Sequence, residues 1–505
     1  MSSVSLWMNL TFALVMLMQI FYPFINGCPA DERNYLLDFK GGLVDSTGRL
    51  SSWKGYNCCE WKGIHCDFHS GHVISLDIKN PFGTYVDNSK NLSGAIHPSL
   101  FNLQYLQHLD LGYNYFNGTS IPPQLAKLQS LSFLSLASAG FGGEVPLELG
   151  NITTLRHLDL SAGPFGNFVL ESRKFAGWVQ NLRSLEFLAM NDVNLSIAND
   201  HWNIALSSHS NLSQIYLSGC WLSGTIPSLL NLTHLSHLDL SDNSFSSPLP
   251  VWFQNVSSLV SLVLSDCGLK GSIPSDFLRR SSLRNLELSG SQLEGNLSFI
   301  EYQSSSIANL YLQSTSLDGI IRLFFVNFTK FKKLVLAHNY LTGDIPPFGS
   351  ALGKVIPLSV IDLSQNKLTG NIPPSICCLP ILRSLNLENN LLSGKIPHTV
   401  ADMLSGLIPQ GKHFSTFEAS SFAENSNLHG PPLGNRTLTP GFGGKGSPSI
   451  QEEVHNRDVE EAKEEMVGSG GGFCHCNCSA LLPNKMEKLI FQFLDSLMQH
   501  LFGRR

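Results

Sequence analysis

Charge is scarce in this chain of 505 residues. Asp, Glu, Lys and Arg together make up only 14%, and the formal net charge is -6. No Lys/Arg-rich run is present, and the acidic balance argues against nucleic acid as a partner. There is no nucleophile elbow, phosphate loop or kinase segment. The 17 histidines are scattered through the chain, as at His157 and His237. Nothing in this pattern points to catalysis, and neither a cofactor nor a metal site is expected. With 43% hydrophobic residues the chain can bury a large core.

What the sequence does have is a repeat. Between Leu106 and Pro397 the pattern L-x-x-L-x-L-x-x-N-x-L-x-G-x-I-P recurs with a stride of about 24 residues. Leu235, Leu238, Leu240 and Asn243 belong to one copy; Leu382, Leu385, Leu387, Asn390, Leu392, Gly394, Ile396 and Pro397 belong to another. A period of this size marks a solenoid and a long binding surface. The second leucine of each copy heads a short strand: Leu109, Leu134, Leu158, Leu188, Ile215, Leu238, Leu262, Leu286, Leu310, Leu334, Ile361 and Leu385, with a less regular first copy over residues 73–78. Leucines in x-L-x-L-x alternate with outward residues, the period of a strand. Stacked copies then share one core and one parallel sheet.

At the Asn position, as in Asn114, Asn243, Asn339, Asn366 and Asn390, the amide can donate and accept where the chain leaves the strand. Ala139, Gly163, Val193, Cys220, Cys267, Ser291 and Thr315 replace it elsewhere, so the middle of the array is expected to be less regular than its ends. Gly224-Thr-Ile-Pro227, Gly271-Ser-Ile-Pro274 and Gly370-Asn-Ile-Pro373 combine a tight reversal at glycine with an inward Ile and a fixed proline. This half of the repeat resembles the plant-specific class of leucine-rich repeats. The resemblance implies an α/β leucine-rich-repeat solenoid with a second short sheet and a helical N-terminal cap.

The flanks indicate export. Residues 1–27 read as a secretory signal, with the apolar run Leu10 to Met18 too short to span a bilayer. Sequons occur at Asn91, Asn117, Asn151, Asn194, Asn211, Asn231, Asn255, Asn296, Asn327, Asn435 and Asn477, as expected of a secreted glycoprotein. Cys28, Cys58, Cys59 and Cys66 cluster before the repeats, in keeping with an oxidising compartment; four cysteines allow three pairings. Cys220 and Cys267 read as buried free thiols.

Residues 28–72 form a cap block, with Tyr35, Leu36 and Phe39 at helical spacing, Gly48-Arg49-Leu50-Ser51-Ser52-Trp53, and Trp61 between the later cysteines. The block resembles the N-terminal domain of plant leucine-rich-repeat receptors, nearest to receptor-like proteins of the fungal-elicitor (xylanase) receptor type. That resemblance implies the pairs Cys28–Cys58 and Cys59–Cys66. It also implies a single-pass cell-surface protein of plant defence that lacks a kinase and signals through a partner receptor kinase. About 13 repeats over residues 73–403 are expected, then a degenerate last repeat and cap remnant (404–435), where the family's Leu-Cys-Gly reads Leu428-His429-Gly430. An acidic linker (436–465), a Gly-rich transmembrane-like segment (466–484) and an amphipathic tail (485–505) follow. The 466–484 run resembles a degraded anchor, so the expected location is the plasma membrane if it inserts and the extracellular space otherwise.

Ligand contact is expected on the concave sheet face, at outward positions that depart from the usual Asp of the repeat: Phe133, Ser135, Phe187, Tyr216, Val263, Asn285, Glu287, Asn309, Tyr311, Gln313 and Lys333. Exposed aromatics with isolated charges suit protein or peptide recognition; drift on an unused face is the alternative. A secreted inhibitor of microbial wall-degrading enzymes and a non-functional truncated paralogue are the other readings of the chain.

Overall fold

The computed structural model describes residues 27–393, except 82–89, 164–168, 199–201, 275–276, 279–281, 298–305, 322–329, 348–356 and 380, together with 406–407 and 428–429. The signal segment, the linker, the transmembrane-like segment, the tail and Asn327, Asn435 and Asn477 lie outside the described residues. Contacts divide the chain into two units. The first comprises Met1–Pro346, Lys354–Thr369 and Ile381–Leu391. The second comprises Pro347–Gly353, Gly370–Pro380 and Leu392–Arg505; its described parts are a 3₁₀ turn at Pro374–Cys378 and a parallel pair, Gly406–Leu407 with Leu428–His429.

A sheet of 14 strands runs through the first unit. In chain order its strands are β1 (Ile64–Cys66), β2 (Val73–Asp77), β3 (His108–Asp110), β4 (Phe133–Ser135), β5 (His157–Asp159), β6 (Phe187–Ala189) and β7 (Gln214–Tyr216). Then come β8 (His237–Asp239), β9 (Ser261–Val263), β10 (Asn285–Glu287), β11 (Asn309–Tyr311), β12 (Lys333–Val335), β13 (Val360–Asp362) and β14 (Ser384–Asn386). β1 is antiparallel to β2; every later pair is parallel and meets without a shift, so the strand leucines form one column. Leu76, Leu109, Leu134, Leu158, Leu188 and Ile215 in that column are fully buried. No coil could bury its leucines alone, and in-register stacking is what removes them from water.

The segment after each strand follows the same rule. The residue before the Asn position has a left-handed backbone in most copies: Tyr113, Ser138, Asp192, Asp242, Asp266, Ser314, His338, Gln365 and Asn389 all lie at φ 49–61°. Its N–H donates to the next coil, as from Tyr113 to the Ala137 carbonyl and from Asp242 to the Ser265 carbonyl. These bonds hold side chains in a region they seldom adopt. The Asn amides form the expected ladder. Asn243 Nδ2 donates to the carbonyls of Leu217 (2.8 Å), Leu240 (2.8 Å) and Ser241 (3.0 Å), and its Oδ1 accepts from Leu222 N at 2.9 Å. Asn114, Asn339, Asn366 and Asn390 make equivalent bonds.

The middle of the array differs from expectation in an instructive way. The long sheet runs unbroken through it on its backbone pairing, and at two of the positions where Asn is missing Cys220 and Cys267 supply thiol donors, to Met190 O (3.1 Å) and Leu240 O (2.8 Å). Both thiols are free and buried, and burial pushes their pKa up, that of Cys267 to about 12. Irregularity falls instead on the opposite side of the coil. Two short helices, Phe175–Val179 and Trp202–Leu206, bury Trp178 and Trp202, and His209 Nε2 lies 2.9 Å from the Val179 carbonyl.

The second sheet expected from Gly-x-Ile-Pro is present. Five parallel strands, Lys270–Ser272, Gln292–Asn296, Ser316–Ile320, Tyr340–Asp344 and Lys367–Thr369, form its main part, and two strand pairs form smaller pieces. The glycines opening this segment, Gly143, Gly224, Gly271, Gly343 and Gly370, have φ 75–85°, a conformation that glycine adopts without steric cost.

The cap is built as its sequence suggests. Helix α1 (Ala30–Gly41) buries Leu36 and Phe39. Trp53 stacks on Trp61 at 5.6 Å, and each indole N–H donates to a carbonyl, of Lys62 and Lys54 respectively. The disulfides are Cys28–Cys58 and Cys59–Cys66. Arg49 ties the cap to the first coils: its guanidinium donates to the carbonyls of Ile78, Lys79 and Lys90 and to Asn114 Oδ1. Burial lowers its pKa. Glu32, also buried, accepts from Val73 N and contacts His72 Nδ1, both at 2.7 Å.

Candidate ligand-binding face

The outward residues of β2 to β14 form rows that cross the strands, because the register never shifts. The row before the strand leucine reads Ser75, His108, Phe133, His157, Phe187, Gln214, His237, Ser261, Asn285, Asn309, Lys333, Val360 and Ser384. The row after it reads Asp77, Asp110, Ser135, Asp159, Ala189, Tyr216, Asp239, Val263, Glu287, Tyr311, Val335, Asp362 and Asn386.

Four rings of the first row stack into a ladder. Centroids are 4.0 Å apart from His108 to Phe133, 4.1 Å from Phe133 to His157 and 4.0 Å from His157 to Phe187, with interplanar angles of 14°, 9° and 11°. Phe187 then leans on Tyr216 in the other row at 5.4 Å and 39°. Strand spacing near 4.8 Å sets this separation. Parallel rings at that distance use their faces on one another, so the ladder offers a partner their edges, which carry the positive side of the ring quadrupole. Burial lowers the pKa of His108 and, with the neighbouring His108, that of His157, to about 4. The ladder is therefore uncharged at neutral pH.

The candidate residues fall into two groups on this face. Phe133, Phe187 and Tyr216 belong to the ladder. Asn285, Asn309 and Lys333 are consecutive in the first row, Val263, Glu287 and Tyr311 in the second, and Gln313 stands exposed beyond Tyr311. Asn285 Nδ2 is already engaged with Ser261 Oγ at 3.0 Å. Burial raises the pKa of Glu287, against its bond from Ser265. Ser135 departs from expectation: it is only 7% exposed and hydrogen-bonds Asp110, because flanking side chains close over a residue that small. The common Asp of the repeat proves structural. Asp110, Asp159, Asp239 and Asp362 each accept from the backbone N–H two residues on, at 2.9–3.0 Å.

Sequence reasoning missed His108 and His157, which looked like scattered histidines. Aligning the residue before each strand leucine would have placed them among the phenylalanines. Among the sequons, Asn117, Asn151, Asn211, Asn231, Asn255 and Asn296 are exposed. Asn91 and Asn194 are half-buried, and their Oδ1 atoms accept from Asn80 Nδ2 and Ser196 N.

Family models match the same elements. The leucine rich repeat N-terminal domain covers residues 29–67, and the Leucine Rich Repeat model covers 105–128, 211–232, 234–256, 258–279, 357–379 and 382–403. The chain is thus a leucine-rich-repeat solenoid with an N-terminal cap. Its curated relatives are plant receptor-like proteins, to which it is similar over part of its length. It is 37% identical to Receptor-like protein EIX1 of Solanum lycopersicum over 233 residues, which is 44% of this chain and 22% of that relative. It is 32% identical to Receptor-like protein 6 of Arabidopsis thaliana over 260 residues, 46% of this chain and 25% of that relative. The matched part thus spans about a quarter of these relatives. Among solved structures, the Arabidopsis receptor kinase HAESA in complex with the peptide hormone IDA and the co-receptor SERK1 is similar at TM-score 0.57 and 25% identity, over 79% of this chain and 73% of that one. Among the described residues no helix is long and apolar enough to cross a membrane.

Proposed function

We propose that the outer face of the long sheet binds an extracellular protein or peptide elicitor in plant defence, by recognition and not by catalysis. The observation that carries this reading is the ladder from His108 to Phe187, continued by Tyr216. It is a rigid, uncharged row of ring edges on a sheet whose neighbouring row is polar and acidic. Pre-ordered aromatic side chains lose little entropy on binding, which favours them as anchors. The related HAESA ectodomain was solved with a peptide hormone and a co-receptor, which supports a peptide-sized ligand and a second receptor as partner. We place the protein at the cell surface or in the extracellular space, glycosylated at exposed sequons. Signalling runs through a leucine-rich-repeat receptor kinase acting as adaptor or co-receptor.

The test is expression of the full chain in leaf tissue treated with fungal culture filtrate. The wild type is expected to co-purify with receptor kinases and to raise a defence response. A Phe133→Ala/Phe187→Ala variant is expected to mature its glycans normally and lose the response. An equal response from both proteins removes the ladder from recognition, and no kinase association under any condition removes the signalling role.

A further inference from the structure

We propose that Asp77, His108 and Asp110 bind a first-row divalent metal ion, Zn²⁺ or Mn²⁺, on the outer face of β2 and β3. Asp77 and Asp110 are register partners on adjacent strands, so their carboxylates stand side by side. His108 precedes Asp110 by two residues and shares its face. One ligand atom from each of the three lies within 4.8 Å of the other two. A cation between them comes within reach of all three after small rotamer changes, since such bonds are about 2.0–2.2 Å long.

Three observations favour a metal over an accidental meeting of side chains. First, like charges directly opposite one another destabilise a sheet, and Asp110 is only 5% exposed. Among the described residues the one cation paired with it is Lys79, whose Nζ is 3.7 Å from Asp110 Oδ2 and whose side chain is half-exposed. The Arg49 guanidinium acts on Asp77 electrostatically, but neither cation lies between the two carboxylates; a dication there offsets both at once. Second, the ring nitrogens of His108 have no hydrogen-bond partner among the described residues, and its stacking on Phe133 fixes the plane of the ring. Stacking uses the ring face and coordination uses an in-plane lone pair, so the two are compatible. Phe133 does here what a second hydrogen bond does for most metal-binding histidines. Third, the available oxygens have different duties. Asp77 Oδ1 accepts from Lys79 N and Asp110 Oδ1 accepts from Gly112 N, which orients each carboxylate; Ser135 also bonds Asp110, and Asp110 Oδ2 faces the Lys79 ammonium that an ion would displace.

One imidazole and two carboxylates suit zinc or manganese better than calcium, which takes six to eight oxygens. Water would fill the remaining positions. The Lys79 side chain then competes with the ion and swings out when it binds. The cluster is hidden in the linear chain, because Asp77 and Asp110 are neighbours only once the strands are in register.

Calorimetric titration of the full secreted chain with Zn²⁺ and with Mn²⁺ tests the proposal. Cys474, Cys476 and Cys478 are replaced by Ser to remove competing thiols. One ion per chain is expected, with affinity at least tenfold weaker in Asp77→Asn and in His108→Gln. Lys79→Met removes the competing ammonium and is expected to bind several-fold more tightly, which keeps the proposal testable if the other variants fail to fold. Absence of binding at millimolar concentrations of both ions, equal affinity in His108→Gln, or weaker binding in Lys79→Met would each overturn it.

Discussion

Replacing Asn243 with alanine removes a buried amide that serves two consecutive coils. The amide donates to Leu217 O, Leu240 O and Ser241 O and accepts from Leu222 N. Alanine leaves the Leu217 carbonyl and the Leu222 N–H without their partner, where water reaches poorly. Each buried unsatisfied group costs about 1–3 kcal/mol, so the loss is about 2–6 kcal/mol. Asn243→Cys is the informative control. Cys267 occupies the same position one coil later and donates to Leu240 O, the counterpart of the bond from Asn243 to Leu217 O. A cysteine at 243 keeps that donor and loses the acceptor for Leu222, and is expected to cost about half as much as alanine. Urea unfolding gives the total, and hydrogen exchange gives the location. Protection should fall at Leu222 and stay unchanged around Asn366, since coils interact chiefly with their neighbours. A cost below about 0.5 kcal/mol for alanine, within the range of an ordinary surface substitution, or equal costs for both variants, would refute the hydrogen-bond account.

Arg49→Ala is expected to cost about 2–4 kcal/mol and to loosen the cap from the first coils, seen as lost exchange protection in α1. Arg49→Lys should rescue little, because an ammonium cannot reproduce the fork of a guanidinium. The pKa of His157 is depressed to about 4 from an ordinary 6.5. As pH falls below 6.5 the unfolded chain takes up this proton first, so stability is full above that pH and is lost toward pH 4. After allowance for solvent screening the loss is about 1–2 kcal/mol; His157→Phe keeps the stack and should flatten the fall in Tm between pH 7 and 4, and parallel profiles would count against it. The disulfides close separations of 30 and 7 residues. Chain entropy then assigns about 3.6 kcal/mol to Cys28–Cys58 and about 2.4 kcal/mol to Cys59–Cys66, so serine replacement of the first pair should lower cap stability by about 1 kcal/mol more.

Much of the fold was legible because it depends on local pattern. The leucine column, the ladder from Asn114 to Asn390, the buried thiols of Cys220 and Cys267 and the glycines of the second sheet all follow from one copy of the repeat. The disulfide pairing came from family resemblance. The face was less legible, because it depends on which outward residues become neighbours between copies. The connection between β5 and β6 is longer than most, so His157 and Phe187 do not look adjacent in the sequence although they are register partners. Ser135 was misjudged because exposure depends on the bulk of flanking residues. Arg49 and Glu32 gave no signal, since each acts through backbone groups brought near by folding. The left-handed column was also hidden: Tyr113, His338 and Gln365 are not residues that announce such a conformation.

The unshifted register also decides how such a chain can change over time. One residue inserted within β5 would turn Leu158 outward and its neighbours inward, breaking the shared core. Extra residues between strands cost far less, and the helices at Phe175–Val179 and Trp202–Leu206 show where they are absorbed. A whole coil can be duplicated or excised with its two neighbours still meeting edge to edge. Recombination can therefore shuffle rungs of the aromatic row, and with them the surface offered to a ligand, without designing a new fold each time.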